Sequence, residues 1–561
     1  MKTAEPKFFT QKERDPNFSA RSRTPLAGVE HGKNWVELAV IVIFLIFSFW
    51  LMVHTFGYDP KTNSMLIGSR LWSDFGANIP MIRSFSMGAN LDRIIHMQAP
   101  DYPIYAGEPI RKHFLFYALV GLLERIGLRL DWALNIPSIL GFFALLLGIY
   151  VLAQKLFKST AISVLSVLFF LLNGSLSFVK YFSEHSIAEL LTIREFPSFA
   201  PWGPGDITAF WSLNIYTNQR HLAAGFAIGV WFLVWVASSR KNIVGGVLWG
   251  ILIGILPYFH QPMLLIMAIL IPCTFLLFPT MRIPIFITGV VSTLLIVPQL
   301  LLMPKSESLA WFPGYLIHDD LTIPRFLWYW FQNLGLHAIL IPLGFFFIPN
   351  VAKRTLAPLF AIFLVANLFR FSVEIAASHK FFNFALMLGN IVSAFVIVSL
   401  QTPLKTIVTA TLIGVLTLSG VIDFFVIRND VKGAVADVAA DERVEWIVKN
   451  TPRDAIFLNS SFLYHPASIA GRSIFLGWPY FAWSEGYRGN RNELMKTIYE
   501  SRDPGIFCPI LLKNNISYVT VEDTHGDPNL PSIDEAYFRG TFNALFQIDN
   551  YAIFSVADMC P

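Results

Sequence analysis

Apolar runs about the length of a bilayer crossing alternate with short polar turns from residue 35 to residue 426. A hydrocarbon core needs about twenty apolar residues wound as a helix, because every backbone amide must find its partner inside the segment. The pattern predicts spans over roughly 35–57, 134–156, 160–180, 222–239, 243–259, 262–279, 283–303, 325–350, 355–370, 382–400 and 406–426, about eleven in all. FLFYALVGLLERIGLRL (114–130) repeats apolar residues at helical spacing but carries Glu124, Arg125 and Arg129, which predicts an interfacial helix and not a crossing. GILIGILPYFHQP, around 250–262, is broken by Pro257, His260 and Gln261, as expected of a helix lining a cavity.

From residue 427 the pattern shortens. ADERVEWIVKN and NRNELMKTIYES read as helices; AIFLN, ASIAGRSIFLGW and ISYVTVED read as strands; LFQIDNYAIFSV reads as a hairpin turning at Asp549-Asn550. The expected fold is therefore a polytopic α-helical membrane protein over 35–426, followed by a small α/β domain over 427–561.

Composition agrees, with 54% hydrophobic and only 14% charged residues among 561. The net charge of +4 is small and its basic residues are scattered, which excludes a nucleic-acid stripe. Basic residues in short loops stay on the cytoplasmic side. With residues 1–34 as a cytoplasmic tail, the turns holding Lys155 and Lys158, Arg240 and Lys241, Arg282, Lys353 and Arg354, and Lys405 all fall inside. The loops 58–133, 181–221, 304–324 and 371–381, and the α/β domain, are then extracytoplasmic. Of three cysteines, Cys273 lies in an apolar run; Cys508 and Cys560 are both in the C-terminal region and can pair if it faces an oxidising compartment.

The chemistry-bearing residues gather on that outer side. Asp74 sits between Trp72 and Phe75 with Gly76 beside it, and a carboxylate in a partly apolar cleft suits a general base. Arg220 and His221 open one span, while Arg370, His379 and Lys380 bracket an outer turn; ionisable groups at such depth are costly and point to function, although a snorkelling anchor is the plainer alternative for Arg370. His113 and His260 face a cavity or are hydrogen-bonded in the core. In the C-terminal domain, Arg472, Trp478, Trp483, Tyr487, Arg488 and Arg491 combine ring faces with guanidinium forks, a pairing suited to sugar or phosphate, or simply pack that domain onto the membrane region.

In SDFGANIPMIRSFSMGAN, YPIYAGEPIRKHFLFY, YTNQRHLAAG and SHKFFNF, and in its layout over nearly the whole chain, the sequence resembles the GT-C superfamily of membrane glycosyltransferases, which includes protein O-mannosyltransferases and lipid A aminoarabinose transferases. The resemblance implies an aspartate base in the first outer loop, at the position of Asp74, and a polyprenyl-phosphate-linked sugar as donor. It also implies a second acid, for which Asp101, Glu108, Glu184 and Asp206 are candidates; no D-x-D or E-x-D surrounds Asp74.

The expected activity is inverting transfer of a sugar to a glycan, lipid or protein acceptor at the outer membrane face. Asp74 acts as base, Arg220, His221, Arg370, His379 and Lys380 hold the phosphate, and Arg472, Tyr487 and Arg488 hold the acceptor. A sugar phosphate carries its own leaving group, so such an enzyme needs a base and cations but no general acid. No ligand spacing demands a metal, though a divalent cation is compatible with acids beside a phosphate. The alternatives are a transporter or flippase of a lipid-linked glycan, and a non-catalytic envelope protein that binds glycan; the first expects charges near mid-membrane and paired halves, neither of which is visible.

Overall fold

The computed structural model describes residues 27–238, 242–303, 309–401, 403–524 and 529–561, with side chains from residue 35. The expected cytoplasmic tail 1–34, Arg240 and Lys241, and part of the expected loop 304–324 thus lie outside the residues described in full. Of the described residues, 27–43 are helical and belong to one unit, and Phe44–Pro561 form a second that carries everything discussed below.

Six helices among the described residues are long and apolar enough to cross a membrane: Trp35–Thr55, Leu130–Phe157, Pro279–Leu302, Asn350–Leu368, Ile375–Ser399 and Lys405–Arg428. Thr160–Leu171, Leu222–Ala237, Ile243–Phe259 and Gln261–Leu277 are apolar but shorter. Two expected spans are interrupted. The run over 160–180 ends at Leu171 and restarts at Ser177, and the run over 325–350 divides into Ile323–Leu334 and His337–Phe345. The two breaks meet: a Cβ on Gly335, whose φ is +55°, would stand 1.9 Å from the Gly174 carbonyl oxygen, so both helices open where their backbones touch.

Ten short strands occur among the described residues: β1 (Phe56–Asp59), β2 (Ser64–Gly68), β3 (Ala310–Trp311), β4 (Phe369–Arg370), β5 (Lys432–Ala436), β6 (Ile456–Leu458), β7 (Ser473–Ile474), β8 (Tyr518–Val521), β9 (Ala544–Ile548) and β10 (Tyr551–Ser555). β1 and β2 form a hairpin directly after the first long helix. β5, which follows the last long helix, adds antiparallel to β2 with Leu66 opposite Ala434. The main sheet has the order β7-β6-β8-β10-β9, parallel at β7-β6-β8 and antiparallel beyond, with the expected hairpin at Asp549-Asn550 as its β9-β10 edge. The expected strand ASIAGRSIFLGW differs: Pro466–Ile469 is a helical turn, because His465 caps it by accepting from the Ala467 N–H (3.2 Å) and Pro466 presets the first helical φ. Only Ser473–Ile474 pairs in the sheet. Cys508 and Cys560 are joined, closing a separation of 52 residues.

The first loop and the C-terminal sheet share one core. A continuous buried cluster runs from Phe56, Phe75 and Tyr102 to Phe457, Ile474 and Phe554. At its centre lies the helix Trp72–Ser86, buried from Phe75 to its end. Arg83 on this helix is 1% exposed and pairs with Asp437 (2.7 Å) and Glu124 (3.2 Å), so the first loop, the amphipathic helix Leu115–Arg125 and the segment after β5 are held by one guanidinium. A Cβ on Gly88 would meet the Gly471 carbonyl oxygen at 2.2 Å, which shows how closely the turn after this helix lies against the C-terminal region.

Candidate active site

Asp74 occupies the first turn of Trp72–Ser86, where the helix dipole favours a carboxylate. It borders a cavity of about 840 Å³ walled by the first loop, the segment 199–221, the first turns of the helix from Gln261, residues 371–381 and the segment 478–485. Among the described residues no hydrogen bond or ion pair engages the Asp74 carboxylate, although Lys112 and Lys380 both act on its charge. Burial pushes the Asp74 carboxyl above its usual range, and those two ammonium groups pull it back in part.

The cations around the cavity differ in what they are committed to. Arg70 pairs with Glu195 (2.6 Å), Arg111 with Glu108 (3.1 Å) and Lys112 with Glu485 (2.7 Å). Burial lowers the Lys112 ammonium, but the charge and hydrogen bond of Glu485 outweigh it and leave it above its usual value. Lys380, 8% exposed, has no hydrogen-bond or ion-pair partner among the described residues. It stands in the first turn of His379–Ser399, whose N-terminal amides favour an anion, beside a Ser378 hydroxyl that is buried without a partner. His379 stacks on Phe210 at 4.1 Å and accepts from the Asn383 amide at Nδ1 (3.2 Å), which leaves Nε2 carrying the proton as a donor.

Three further groups line the wall as a chain of polar atoms. His113 Nε2 and His221 Nε2 lie 2.7 Å apart, and the Tyr117 hydroxyl is 3.1 Å from His221 Nδ1. Burial first, then the neighbouring His221, holds His113 well below the ordinary imidazole range, so it is neutral at neutral pH. Its Nδ1 is buried without a partner.

An unengaged carboxylate and an unengaged ammonium thus face one cavity from positions about 300 residues apart. The chain is similar to ArnT from Cupriavidus metallidurans in its apo state, at a TM-score of 0.49 and 10% identity over 95% of this chain and 99% of that one. It is similar to the arabinofuranosyltransferase AftD from mycobacteria at 0.49 and 12%, over 92% of this chain and 40% of that one. It is also similar to the archaeal oligosaccharyltransferase AglB from Archaeoglobus fulgidus, in complex with an inhibitory peptide and a dolichol-phosphate, at 0.45 and 10%, over 87% and 70%. All three are GT-C glycosyltransferases. No family model and no curated protein matches the sequence.

Of the residues expected from the sequence, Asp74, His221, His379 and Lys380 border the cavity, as does His113. Trp478 lines it as well, and the remaining candidates lie elsewhere. Arg220 is fully buried behind the wall, where Nε donates to the Thr217 carbonyl (2.7 Å) and its two amino groups reach Asn135 Oδ1 (3.2 Å), the Met52 carbonyl (3.2 Å) and Thr55 Oγ1 (2.9 Å). Arg370 lies over the Phe312 ring, on β4. Among the second-acid candidates, Asp101 pairs with Arg93 (2.8 Å), Glu108 with Arg111 and Asp206 with Arg325 (2.7 Å), while Glu184 is exposed at a helix end. The acids that do join Asp74 at the cavity are Glu374 and Glu485. Arg472 is 2% exposed and spends its guanidinium on carbonyls of Met87, Ala470, Val448 and Thr451, closing off the C-terminal core. Tyr487 stacks between Tyr102 and Tyr105 and donates to the Pro109 carbonyl (2.8 Å), and Arg488 is exposed. Among the described residues no group of three His, Cys, Asp or Glu side chains is placed to hold a metal ion.

Sequence reasoning missed Lys112, Glu374, Glu485 and Tyr480. Lys112 lay inside a quoted motif, RKHF, so the signal was present; Glu485 becomes legible only once the Lys112 ion pair joins two segments 373 residues apart.

Proposed function

We propose that the protein is a multi-pass membrane glycosyltransferase that moves a sugar from a polyprenyl-phosphate donor to a hydroxyl acceptor, with inversion. In this reading the chain crosses the membrane about eleven times, shorter apolar helices included, with residues 1–34 cytoplasmic and an α/β domain over 427–561 outside. Asp74 takes the proton from the acceptor oxygen as that oxygen forms its bond to the anomeric carbon. The bond from that carbon to the phosphate oxygen breaks, its electron pair leaves with the polyprenyl phosphate, and Lys380 meets the released charge with His379 Nε2–H and the helix amides behind it. A base that no protein cation holds by direct contact and an ammonium awaiting an anion suit this step, because both are committed only when substrates arrive.

The observation that carries the reading is the convergence of Asp74 and Lys380, neither with a direct partner among the described residues, on one cavity. The test is transfer by full-length protein in lipid nanodiscs with polyprenyl-phosphate sugars. Asp74→Asn is expected to lower turnover at least a thousandfold with unchanged thermal unfolding or better, and Lys380→Ala to raise the KM for the donor. Normal turnover in Asp74→Asn removes the base from the scheme.

A further inference from the structure

Two tryptophans outside the catalytic scheme face the same cavity. Trp202, on the loop between two helices, and Trp478, at the start of the helix Pro479–Ser484, line it from segments about 280 residues apart, yet remain 52% and 38% exposed. Between them stands Tyr480, 5.6 Å from the Trp478 ring, whose hydroxyl donates to Glu374 (2.7 Å) and is also reached by the Trp202 side chain. The charge of Asp74 acts on the same Tyr480 hydroxyl, so this aromatic rim lies within electrostatic reach of the base.

Large indole faces left partly wet at the edge of a polar cavity are costly unless something covers them. Exposed tryptophans are ordinary at the level of lipid headgroups, and Trp132 and Trp328 are exposed without lining the cavity. Trp202 and Trp478 differ because carboxylates accompany them: Glu374 and Glu485 border the same space. Electron-rich ring faces attract the polarised C–H face of a sugar, and carboxylates accept from its hydroxyls. Of the cations on this cavity, Arg70, Arg111 and Lys112 are already paired with Glu195, Glu108 and Glu485, and Lys380 is given to the donor phosphate, so among the described residues none of these is left for a phosphorylated or carboxylated acceptor.

We infer that the acceptor is a neutral glycan, laid across Trp202 and Trp478 with its hydroxyls toward Glu374 and Glu485. This rests on the transferase reading and names its second substrate class. Full-length protein in nanodiscs is titrated with fluorescent neutral hexose and pentose oligosaccharides, with serine- and threonine-containing peptides, and with phosphorylated disaccharides. Oligosaccharides are expected to bind. Trp202→Ala and Trp478→Ala weaken that binding at least tenfold, Trp202→Phe restores part of it, and Trp328→Ala leaves it unchanged. Binding of peptides or phosphorylated sugars in preference to neutral glycans, or oligosaccharide binding indifferent to both tryptophans, overturns the inference while leaving transfer by Asp74 standing. If oligosaccharides bind as stated but Asp74→Asn transfers normally, the catalytic reading fails and the glycan site remains.

Discussion

Arg220 separates a wall anchor from a phosphate ligand most sharply. Its guanidinium is buried with five hydrogen bonds to neutral acceptors, the Met52 sulfur included, and no carboxylate among the described residues pairs with it. Replacing it with alanine strands the Thr217 carbonyl and Asn135 Oδ1, whose only donor in each case among the described residues is Arg220, at about 1–3 kcal/mol apiece. Removing the cation also relieves the cost of having buried it, so the net loss falls at about 2–4 kcal/mol, a factor of about 30 to 1,000 in the folding equilibrium. Lysine cannot reproduce the planar fork and recovers little. The assay pairs chemical denaturation in nanodiscs with donor kinetics at a temperature where each variant is folded. Arg220→Ala is expected to lose stability with the donor KM unchanged, the reverse of Lys380→Ala. Wild-type stability together with a donor KM raised tenfold would show that Arg220 reaches the phosphate, and would refute its placement behind the wall.

Other outcomes follow from the same geometry. Because Lys112 lowers the Asp74 carboxyl, Lys112→Gln moves the acid limb of the kcat/KM profile to higher pH, and a limb that stays or falls contradicts it. Since burial raises the folded carboxyl above its unfolded value, ionised Asp74 costs stability at neutral pH; Asp74→Asn is expected to unfold at higher denaturant than wild type there, with the gap closing as pH drops below the ordinary carboxylate range. Breaking Cys508–Cys560 by a double alanine substitution removes up to about 4 kcal/mol by loop-closure entropy, read by non-reducing mass analysis and denaturation of the same samples. Gly88→Ala drives a methyl into the Gly471 carbonyl and is expected to cost about 1–3 kcal/mol, with faster proteolysis between the first loop and the C-terminal region.

Local patterns were legible in the sequence: the apolar runs, the amphipathic helix at Leu115–Arg125, and the hairpin at Asp549-Asn550. So was the singling out of Asp74, His379 and Lys380, which border one cavity, because charges at the ends of apolar runs are rare enough to stand out. Direction was not legible. Arg220 and His221 are adjacent in sequence, yet one turns into the wall and the other into the cavity, a difference set by Asn135 and Thr55 from distant helices. Glu485 and Glu374 acquire meaning only through pairs with Lys112 and Tyr480 that span 373 and 106 residues. The turn Pro466–Ile469 was read as strand because its apolar spacing suits either, and the His465 cap decided it.

The pairing of β5 with β2 sets an order of events during synthesis. β2 leaves the ribosome about 360 residues before β5 does, which at about 5–20 residues per second is a wait of roughly 20 to 70 s. Throughout that interval the hairpin ahead of Asp74 keeps an open edge and the helix carrying it lacks Asp437 for Arg83. A nascent chain therefore cannot complete the walls around Asp74 until nearly all of its hydrophobic segments have been made.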